Sequence, residues 1–360
     1  MKSMLRSLMI CTFVLQCSII SFSQDNSNTI DGKSKKETVT VIGVGDIMLG
    51  THYPSSNYLP PNDGKTILDS VKTYLRDADV SFGNLEGTLV DDGGEVKQCN
   101  NPKICYAFKM PTRYVNYLTD AGFDLMSIAN NHVGDFGETG RKSTATTLKN
   151  AGLGFAGLLA YPTTVIERNG VKYGLCAFSP NTGTLDIKNI PEAVKIVEAL
   201  TSKCDILIVS FHGGAEGSKM SHVTKKTELF LGEDRGNVYA FSHAMIDAGA
   251  DIVFGHGPHV TRAVETYKGR FIAYSMGNFC TYGRFNLAGI NGIAPIVKVY
   301  TSPKGEFQKA TIVSVVQRGE GIPVVDKTNW VFKELKKLTE IDFPKTPLRF
   351  TVENEILPLN

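Results

Sequence analysis

The sequence predicts an α/β protein built as a two-sheet sandwich flanked by helices (α/β/β/α), with parallel and antiparallel strands mixed. Short apolar runs of four to eight residues alternate with helical segments of about a dozen, which is typical of parallel α/β architecture. Two hairpin patterns, with Asn169-Gly170 and Lys268-Gly269 in their turns, interrupt this alternation and indicate antiparallel strands as well. A two-sheet sandwich accounts for both observations better than a single doubly wound sheet.

The elements follow a repeating order along the chain. The first strand covers the β-branched run 39–44 and ends at Gly45-Asp46. Four helical segments follow, each succeeded by an apolar run and a polar motif: TILDSVKTYLRDAD with VSFG and NLEG, TRYVNYLTDAGFD with LMSIA and NNH, PEAVKIVEALTSKCD with ILIVSF and HGG, and GNVYAFSHAMIDAGAD with IVF and GHGPH. We predict one domain over 38–300, on which residues 301–360 pack as a β-hairpin, a short helix and a tail.

The composition excludes several classes of protein and argues against nucleic acid as a partner. The chain has 360 residues, 42% hydrophobic and 21% charged, which excludes collagen-like repeats and disulfide-dense miniproteins. Lysine and arginine total 38 against 36 aspartate and glutamate, a net charge of +2. Because no strong field of either sign results, no nucleic-acid partner is expected.

The N-terminus predicts export. Lys2 and Arg6 precede an apolar run that is too short for a convincing membrane span and ends in small residues, so we predict a signal peptide over 1–23 and a periplasmic or cell-envelope location. A lipid anchor on Cys17 is disfavoured, because a glutamine precedes it where a small residue is expected. The polar stretch 24–37 is interpreted as a linker.

Five of the seven cysteines lie beyond the predicted signal peptide. Cys99 and Cys105 bracket a short loop containing proline and asparagine, and an oxidising compartment would allow them to form a disulfide. Cys176, Cys204 and Cys280 are interpreted as buried small hydrophobic residues rather than nucleophiles.

Polar side chains follow the strands at the points where the strands end. In open α/β sheets these ends face one common site, so we expect the side chains to converge. The candidates are Asp46, Glu86, Asn131, His132, His212, His256 and His259. Carboxylate, amide and imidazole groups without thiolate suit manganese, iron or zinc. Two such ions bridged by a carboxylate would favour hydrolysis at phosphorus.

Each candidate also has a purely structural interpretation. Asp46 could start a turn, and His132 could be a surface histidine. The joint occurrence of His256 and His259 with the other polar groups at successive strand ends favours a site. Nearby, Arg262 and Arg284 are candidate anion-binding residues.

Six blocks of the sequence together resemble the bacterial capsule-synthesis CapA family, also called the poly-γ-glutamate capsule family. They are GDIMLG, NLEGTL, SIANNHVGDFG, SFHGG, GHGPHV and YSMGNF, within about 38–279. That family is related to calcineurin-like metallophosphoesterases, so the resemblance implies a metallophosphoesterase-like sandwich with a dinuclear metal site. It also implies His132 as general acid. The implied metal ligands are Asp46, Glu86, Asn131, His212, His256 and His259.

The chain departs from the wider phosphoesterase pattern. Met48 stands where a histidine follows the first aspartate, and Glu86 stands in place of an aspartate. One metal position keeps four ligands, whereas the other keeps only Asp46, Glu86 and His259. We therefore expect one firm divalent metal and a weaker or absent second, with His52 as the candidate to complete it.

Two functions fit these observations. In the first, the protein is an exported metal-dependent hydrolase of capsule or envelope polymer metabolism, in which metal-bound hydroxide attacks a phosphoester or an amide and His132 protonates the leaving group. In the second, it is a non-catalytic capsule-assembly accessory that binds an anionic polymer in the same cleft. Met48 favours the accessory and His132 favours the hydrolase. Membrane-bound capsule synthesis proteins are the expected partners.

Overall fold

The computed structural model describes residues 37–99 and 105–359. The predicted signal peptide and almost all of the predicted linker lie outside these residues. Within the described part, none of the helices has both the length and the apolar character needed to cross a bilayer.

The described residues form 21 strands and six α-helices. The strands are β1 Val39–Met48, β2 Val80–Leu85, β3 Thr88–Leu89, β4 Lys109–Met110, β5 Leu125–Ser127, β6 Gly154–Ala156, β7 Thr163–Arg168, β8 Val171–Ser179, β9 Leu185–Asp186, β10 Ile206–His212, β11 Leu229–Phe230, β12 Glu233–Asp234, β13 Ile252–His256, β14 Val264–Tyr267, β15 Arg270–Ala273, β16 Asn278–Thr281, β17 Ile293–Thr301, β18 Phe307–Arg318, β19 Ile322–Val325, β20 Leu348–Phe350 and β21 Glu355–Pro358. The helices are α1 Lys72–Leu75, α2 Val115–Ala121, α3 Gly137–Asn150, α4 Ile190–Thr201, α5 Val238–Asp247 and α6 Trp330–Asp342.

Two large mixed sheets form the framework. The first has the order β20-β21-β18-β17-β1-β2-β5-β6, with β16 beside β1 and β19 beside β18. The second has the order β14-β15-β13-β10-β8-β7, with β9 beside β8. Strands β1, β2, β5 and β6 run parallel to one another, as do β8, β10, β13 and β15. Antiparallel pairs join β17 to β1 and β18, β7 to β8, and β14 to β15.

Three buried clusters define four layers. The cluster between the sheets contains side chains of both, and Phe82 of the first sheet stacks on Phe254 of the second with ring centroids 5.5 Å apart. A second cluster joins the outer face of the first sheet to α1, α2 and α3. A third joins the outer face of the second sheet to α4 and α5. The predicted sandwich flanked by helices is therefore confirmed.

The structure confirms the predicted hairpins and the predicted disulfide, and it corrects the length of one predicted helix. Both predicted hairpins are present, as β7–β8 and β14–β15, and both residues of each turn have the positive φ that two-residue hairpin turns require. The helix predicted over 66–79 is wrong in length: only α1 is α-helical, because hydrogen bonds such as Asp69 N–H to Thr66 C=O form short turns before it. Cys99 and Cys105 form the predicted disulfide.

Strand register brings the predicted site residues to one edge of each sheet. In the first sheet Asp46 on β1 is level with Asn84 on β2, and Asn84 is level with Ser127 on β5. In the second sheet His212 at the end of β10 is level with His256 at the end of β13. The chain then crosses from β15 in the second sheet to β16, which pairs with β1 in the first.

Candidate metal centre

Five of the predicted ligands meet where these strands end. Asp46, Glu86, His212 and His256 are fully buried, and the side chain of His259 is 15% exposed. His259 has φ of +58°, a left-handed conformation that residues other than glycine adopt rarely and that is concentrated at functional sites. The strand ends thus enclose a cluster of carboxylate and imidazole groups contributed by both sheets.

The Asp46 carboxylate contacts the Nδ1 atoms of two imidazole rings. Its Oδ1 is 3.2 Å from Nδ1 of His256, and its Oδ2 is 3.0 Å from Nδ1 of His259. Asn84 donates a hydrogen bond to Oδ1 at 2.9 Å, and Asn278 Oδ1 lies 3.1 Å from the same His259 nitrogen. A carboxylate on one ring nitrogen orients the other toward a metal. Asp46 thus contacts two of the other predicted ligands in a position to orient their rings, and its own role as a ligand stays a prediction.

Among the described residues, several atoms around this cluster are buried without a hydrogen-bond partner. They are both carboxylate oxygens of Glu86, Nε2 of His212, Nε2 of His256 and Oδ1 of Asn131. Buried polar atoms are nearly always satisfied, and five such atoms from four predicted ligands have the chemistry that a bound cation would satisfy. Ligand atoms of Glu86, His212 and His259 also lie within 4.8 Å of one another. These residues fit a divalent metal of the manganese, iron or zinc type.

The electrostatics of the cluster favour a cation. Burial raises the pKa of Glu86 well above its usual value, and the nearby charge of Asp46 raises it further. Burial alone would lower the pKa of His259, but Glu86, Asp46 and Glu216 outweigh it and raise this pKa to about 10. Burial lowers the pKa of His212 well below its usual value, which keeps that ring neutral and able to coordinate a metal.

The His132 ring has its Nε2 toward the cluster and its Nδ1 on the carboxylate of Asp135. Its Nε2 lies 3.9 Å from Glu86 Oε1, and its Nδ1 lies 2.7 Å from Asp135 Oδ2. Lys97 Nζ is 2.6 Å from the other oxygen of Asp135, and Phe108 N–H donates to Asp135 at 2.7 Å. Burial lowers the pKa of His132. A histidine oriented by a buried carboxylate, with Nε2 directed into the site, is suited to proton transfer.

His52, the candidate to complete a second metal position, has its electrostatic neighbours outside the cluster. Burial lowers the pKa of His52, and the charges acting on it belong to Lys109 and Asp91 rather than to the cluster. Within the described residues the His52 side chain has neither a hydrogen bond nor an ion pair with the centre. Met48 is fully buried, and its sulfur accepts a hydrogen bond from Gly50 N–H at 3.3 Å.

Aromatic rings form one wall of the site. Phe108 lies 4.2 Å from the ring of His132 and 5.1 Å from Phe285, and Phe285 lies 5.7 Å from His259 between ring centroids. Phe285 and His259 also line a pocket of about 210 Å³. The pocket therefore reaches the cluster at His259.

Arg262 and Arg284, the two candidate anion-binding residues, differ in burial and in their charged partners. Arg262 is 1% exposed and donates to both oxygens of Glu228 at 2.9 and 2.8 Å, so that interpretation is wrong for Arg262. Arg284 lies next to the aromatic wall, 4.7 Å from the ring of Tyr58 and 4.9 Å from that of Tyr106. No acidic partner of Arg284 occurs among residues 37–99 and 105–359, and its role as an anion-binding residue stays a prediction.

Four residues of the site were missed at the sequence level. Asn84 lies two residues before Glu86, and Asp135 lies three residues after His132. Glu216 lies four residues after His212 and 3.9 Å from His259 Nε2; Arg235 pairs with Glu216 at 2.9 Å. Asn84, Asp135 and Glu216 share one sequence feature that could have identified them: each is a polar residue two to four positions from a predicted site residue at a strand end. Arg235, after β12, has no such signal.

Comparison with known proteins gives a family and several relatives. Residues 40–282 match the family model described as "Bacterial capsule synthesis protein PGA_cap". The chain is similar to capsule biosynthesis protein CapA of Bacillus anthracis, with 29% identity over 68% of this chain and 60% of that protein. It is also similar to PGA biosynthesis protein CapA of Bacillus subtilis (strain 168), with 27% identity over 66% of this chain and 61% of that protein. The chain thus spans about 60% of the length of these relatives.

Solved structures show more distant likeness. A putative 5'-nucleotidase from Staphylococcus aureus, in complex with alpha-ketoglutarate, aligns with a TM-score of 0.40 and 13% identity over 80% of this chain and 53% of that chain. Purple acid phosphatase PPD1 from yellow lupin aligns with a TM-score of 0.38 and 11% identity over 82% of this chain and 55% of that chain.

Proposed function

Because the chain belongs to the bacterial capsule synthesis protein family PGA_cap, we propose that it is a metal-dependent hydrolase of capsule or cell-envelope polymer metabolism. The observation that carries this proposal is the placement of His132 beside a cluster of buried ligand atoms that have no hydrogen-bond partner in the described part of the chain. A site that only binds polymer has no evident need for a buried histidine held by a carboxylate. The predicted signal peptide supports the further proposal that the protein is exported.

The residues divide the chemical work between them. A divalent metal held by these side chains would supply Lewis acidity, which activates water and neutralises charge developing on the substrate. Asp46 keeps two imidazole rings oriented, and His132 Nε2 donates a proton to the departing oxygen or nitrogen. Asp135 holds the proton on Nδ1 of His132 and stabilises the charged ring. The proposed ligands are Glu86, Asn131, His212, His256 and His259.

The proposed substrate is an anionic polymer with a phosphoester bond or, as second choice, an amide bond. Arg284 supports this choice, because its guanidinium lies beside the site between tyrosine rings without an acidic partner in the described residues. The names of the relatives, which concern capsule and PGA biosynthesis, support a polymer of the poly-γ-glutamate type. Membrane-bound capsule synthesis proteins are the proposed partners.

Cleavage of a generic aryl phosphodiester by manganese-loaded protein tests the proposal. We expect manganese-dependent turnover that falls by about 10²- to 10⁴-fold in His132→Ala, the usual contribution of a general acid. His222→Ala is the matched control, since His222 is half-exposed and paired with Asp342 away from the centre. Met48 favours the accessory function instead. If wild type and His132→Ala are equally inert while both bind polymer, the accessory function replaces the hydrolase.

A further inference from the structure

We infer that Glu216 is an additional ligand of the proposed metal centre and that Arg235 is the residue that positions it. The inference rests on the metal binding in the proposed function and not on hydrolysis. Neither residue belongs to the predicted ligand set.

The distances place Glu216 at the open side of the cluster. Its Oε2 lies 3.9 Å from Nε2 of His259, and that nitrogen lies 3.6 Å from Glu86 Oε1. With bonds of about 2.1 Å, two ligands of one ion lie about 3.0 Å apart at right angles, about 3.4 Å apart in a tetrahedron and about 4.2 Å apart when opposite. Both separations fall within this range. Glu216 also lines the pocket together with His259.

Arg235 fixes the orientation of the Glu216 carboxylate. Its Nη1 lies 2.9 Å from Glu216 Oε1, which leaves Oε2 directed toward His259. Within the described residues, that second oxygen accepts no hydrogen bond. The ligating carboxylates of metal sites are commonly held by a partner in this way.

The burial of Arg235 distinguishes this pair from a surface ion pair. Arg235 is 2% exposed, and its Nε and Nη2 are buried without a hydrogen-bond partner in the described residues. Burial of a guanidinium with one ion pair is costly, and a surface role for Glu216 would not require it. The backbone around the pair is fixed as well, since Arg235 N–H donates to Glu228 C=O and Gly214 N–H donates to Arg235 C=O, both at 2.9 Å.

Manganese affinity, measured by calorimetry against a competing chelator and without substrate, tests the inference. We expect Glu216→Gln to bind Mn²⁺ at least about tenfold more weakly than wild type, because even loss of a partner of a ligand has that effect. The Mn²⁺ EPR spectrum should change in parallel. Arg235→Lys should lose less affinity, because it keeps the charge but not the geometry of the ion pair. Glu233→Gln, at an exposed position on β12, is the matched control and should match wild type.

Each alternative result overturns the inference. Wild-type affinity with an unchanged EPR spectrum in Glu216→Gln would show that Glu216 does not coordinate the ion. Glu216→Asp keeps a carboxylate, so equal affinities of the Asp and Gln variants would lead to the same conclusion. Failure of the proposed hydrolase function would give a different result, because wild type would bind manganese but show no cleavage of the aryl phosphodiester. Far-UV circular dichroism verifies that each variant is folded.

Discussion

Gly45 couples the packing of the first sheet to the position of Asp46. A Cβ atom at Gly45 would lie 2.0 Å from the carbonyl oxygen of Gly277 and 2.5 Å from that of Met276. Both are backbone atoms, so Gly45→Ala must separate β1 from the chain entering β16. That movement also breaks the 2.8 Å hydrogen bond from Asp46 N–H to Gly277 C=O.

The expected cost follows from these two effects. Overpacking a core costs about 1 to 3 kcal/mol, and a lost hydrogen bond costs about 1 kcal/mol. We therefore expect Gly45→Ala to lower the free energy of unfolding by about 2 to 4 kcal/mol, measured by urea denaturation. Because Asp46 moves with the backbone, manganese affinity should fall as well.

Gly170→Ala provides the control for this experiment. Gly170 has φ of +78°, and none of the described residues has an atom within 4 Å of an added Cβ. Its substitution therefore costs about 1 to 2 kcal/mol through backbone conformation alone and should leave manganese affinity unchanged. The reasoning is refuted if Gly45→Ala is as stable as wild type, or if it is destabilised while its metal affinity equals that of Gly170→Ala.

Three further predictions concern proton transfer, pH dependence and polymer binding. Asp135→Asn should lower kcat for aryl phosphodiester cleavage by about 10²-fold or more, because His132 loses its orienting carboxylate; unchanged kcat at equal metal content would contradict this. Burial raises the pKa of Asp251 to about 6 in the folded protein, which is above its value in the unfolded chain. The protonated carboxyl therefore stabilises the fold fully below about pH 4, and this stabilisation is lost as the pH rises to about 6. Urea denaturation below about pH 4 and above about pH 6 should show a loss on the order of 3 kcal/mol in wild type and no such loss in Asp251→Asn. Parallel pH profiles of the two proteins would refute this prediction. Arg284→Gln should weaken poly-γ-glutamate binding about tenfold by fluorescence anisotropy, whereas the exposed control Arg349→Gln should not; equal binding by both would exclude Arg284 as the anion contact.

Strand-end placement was predictable from the sequence because it depends only on the order of elements. Once parallel strands are identified, the residues at their carboxyl ends must face one edge. His212 and His256 illustrate this, since they are 44 positions apart in the chain yet level on adjacent strands. The hairpin turn at Asn169 was predictable for a similarly local reason, since asparagine followed by glycine accepts positive φ at both positions.

The orientation of side chains within the site was not predictable. Whether Asp46 binds a metal or orients two imidazoles depends on distances of about an ångström that packing of the two sheets decides. Arg262 shows the same limit, because its partner Glu228 lies 34 positions away on a separate loop. Helix α3 was missed because its buried positions include glycine and threonine, which give no apolar periodicity.

Anomalous diffraction from crystals soaked in manganese tests the metal centre most directly. We predict one strong anomalous peak within bonding distance of Glu86, His212 and His259, at occupancy that falls in Glu216→Gln. A peak elsewhere, or no peak at these residues in crystals of protein that binds manganese in solution, would contradict the account.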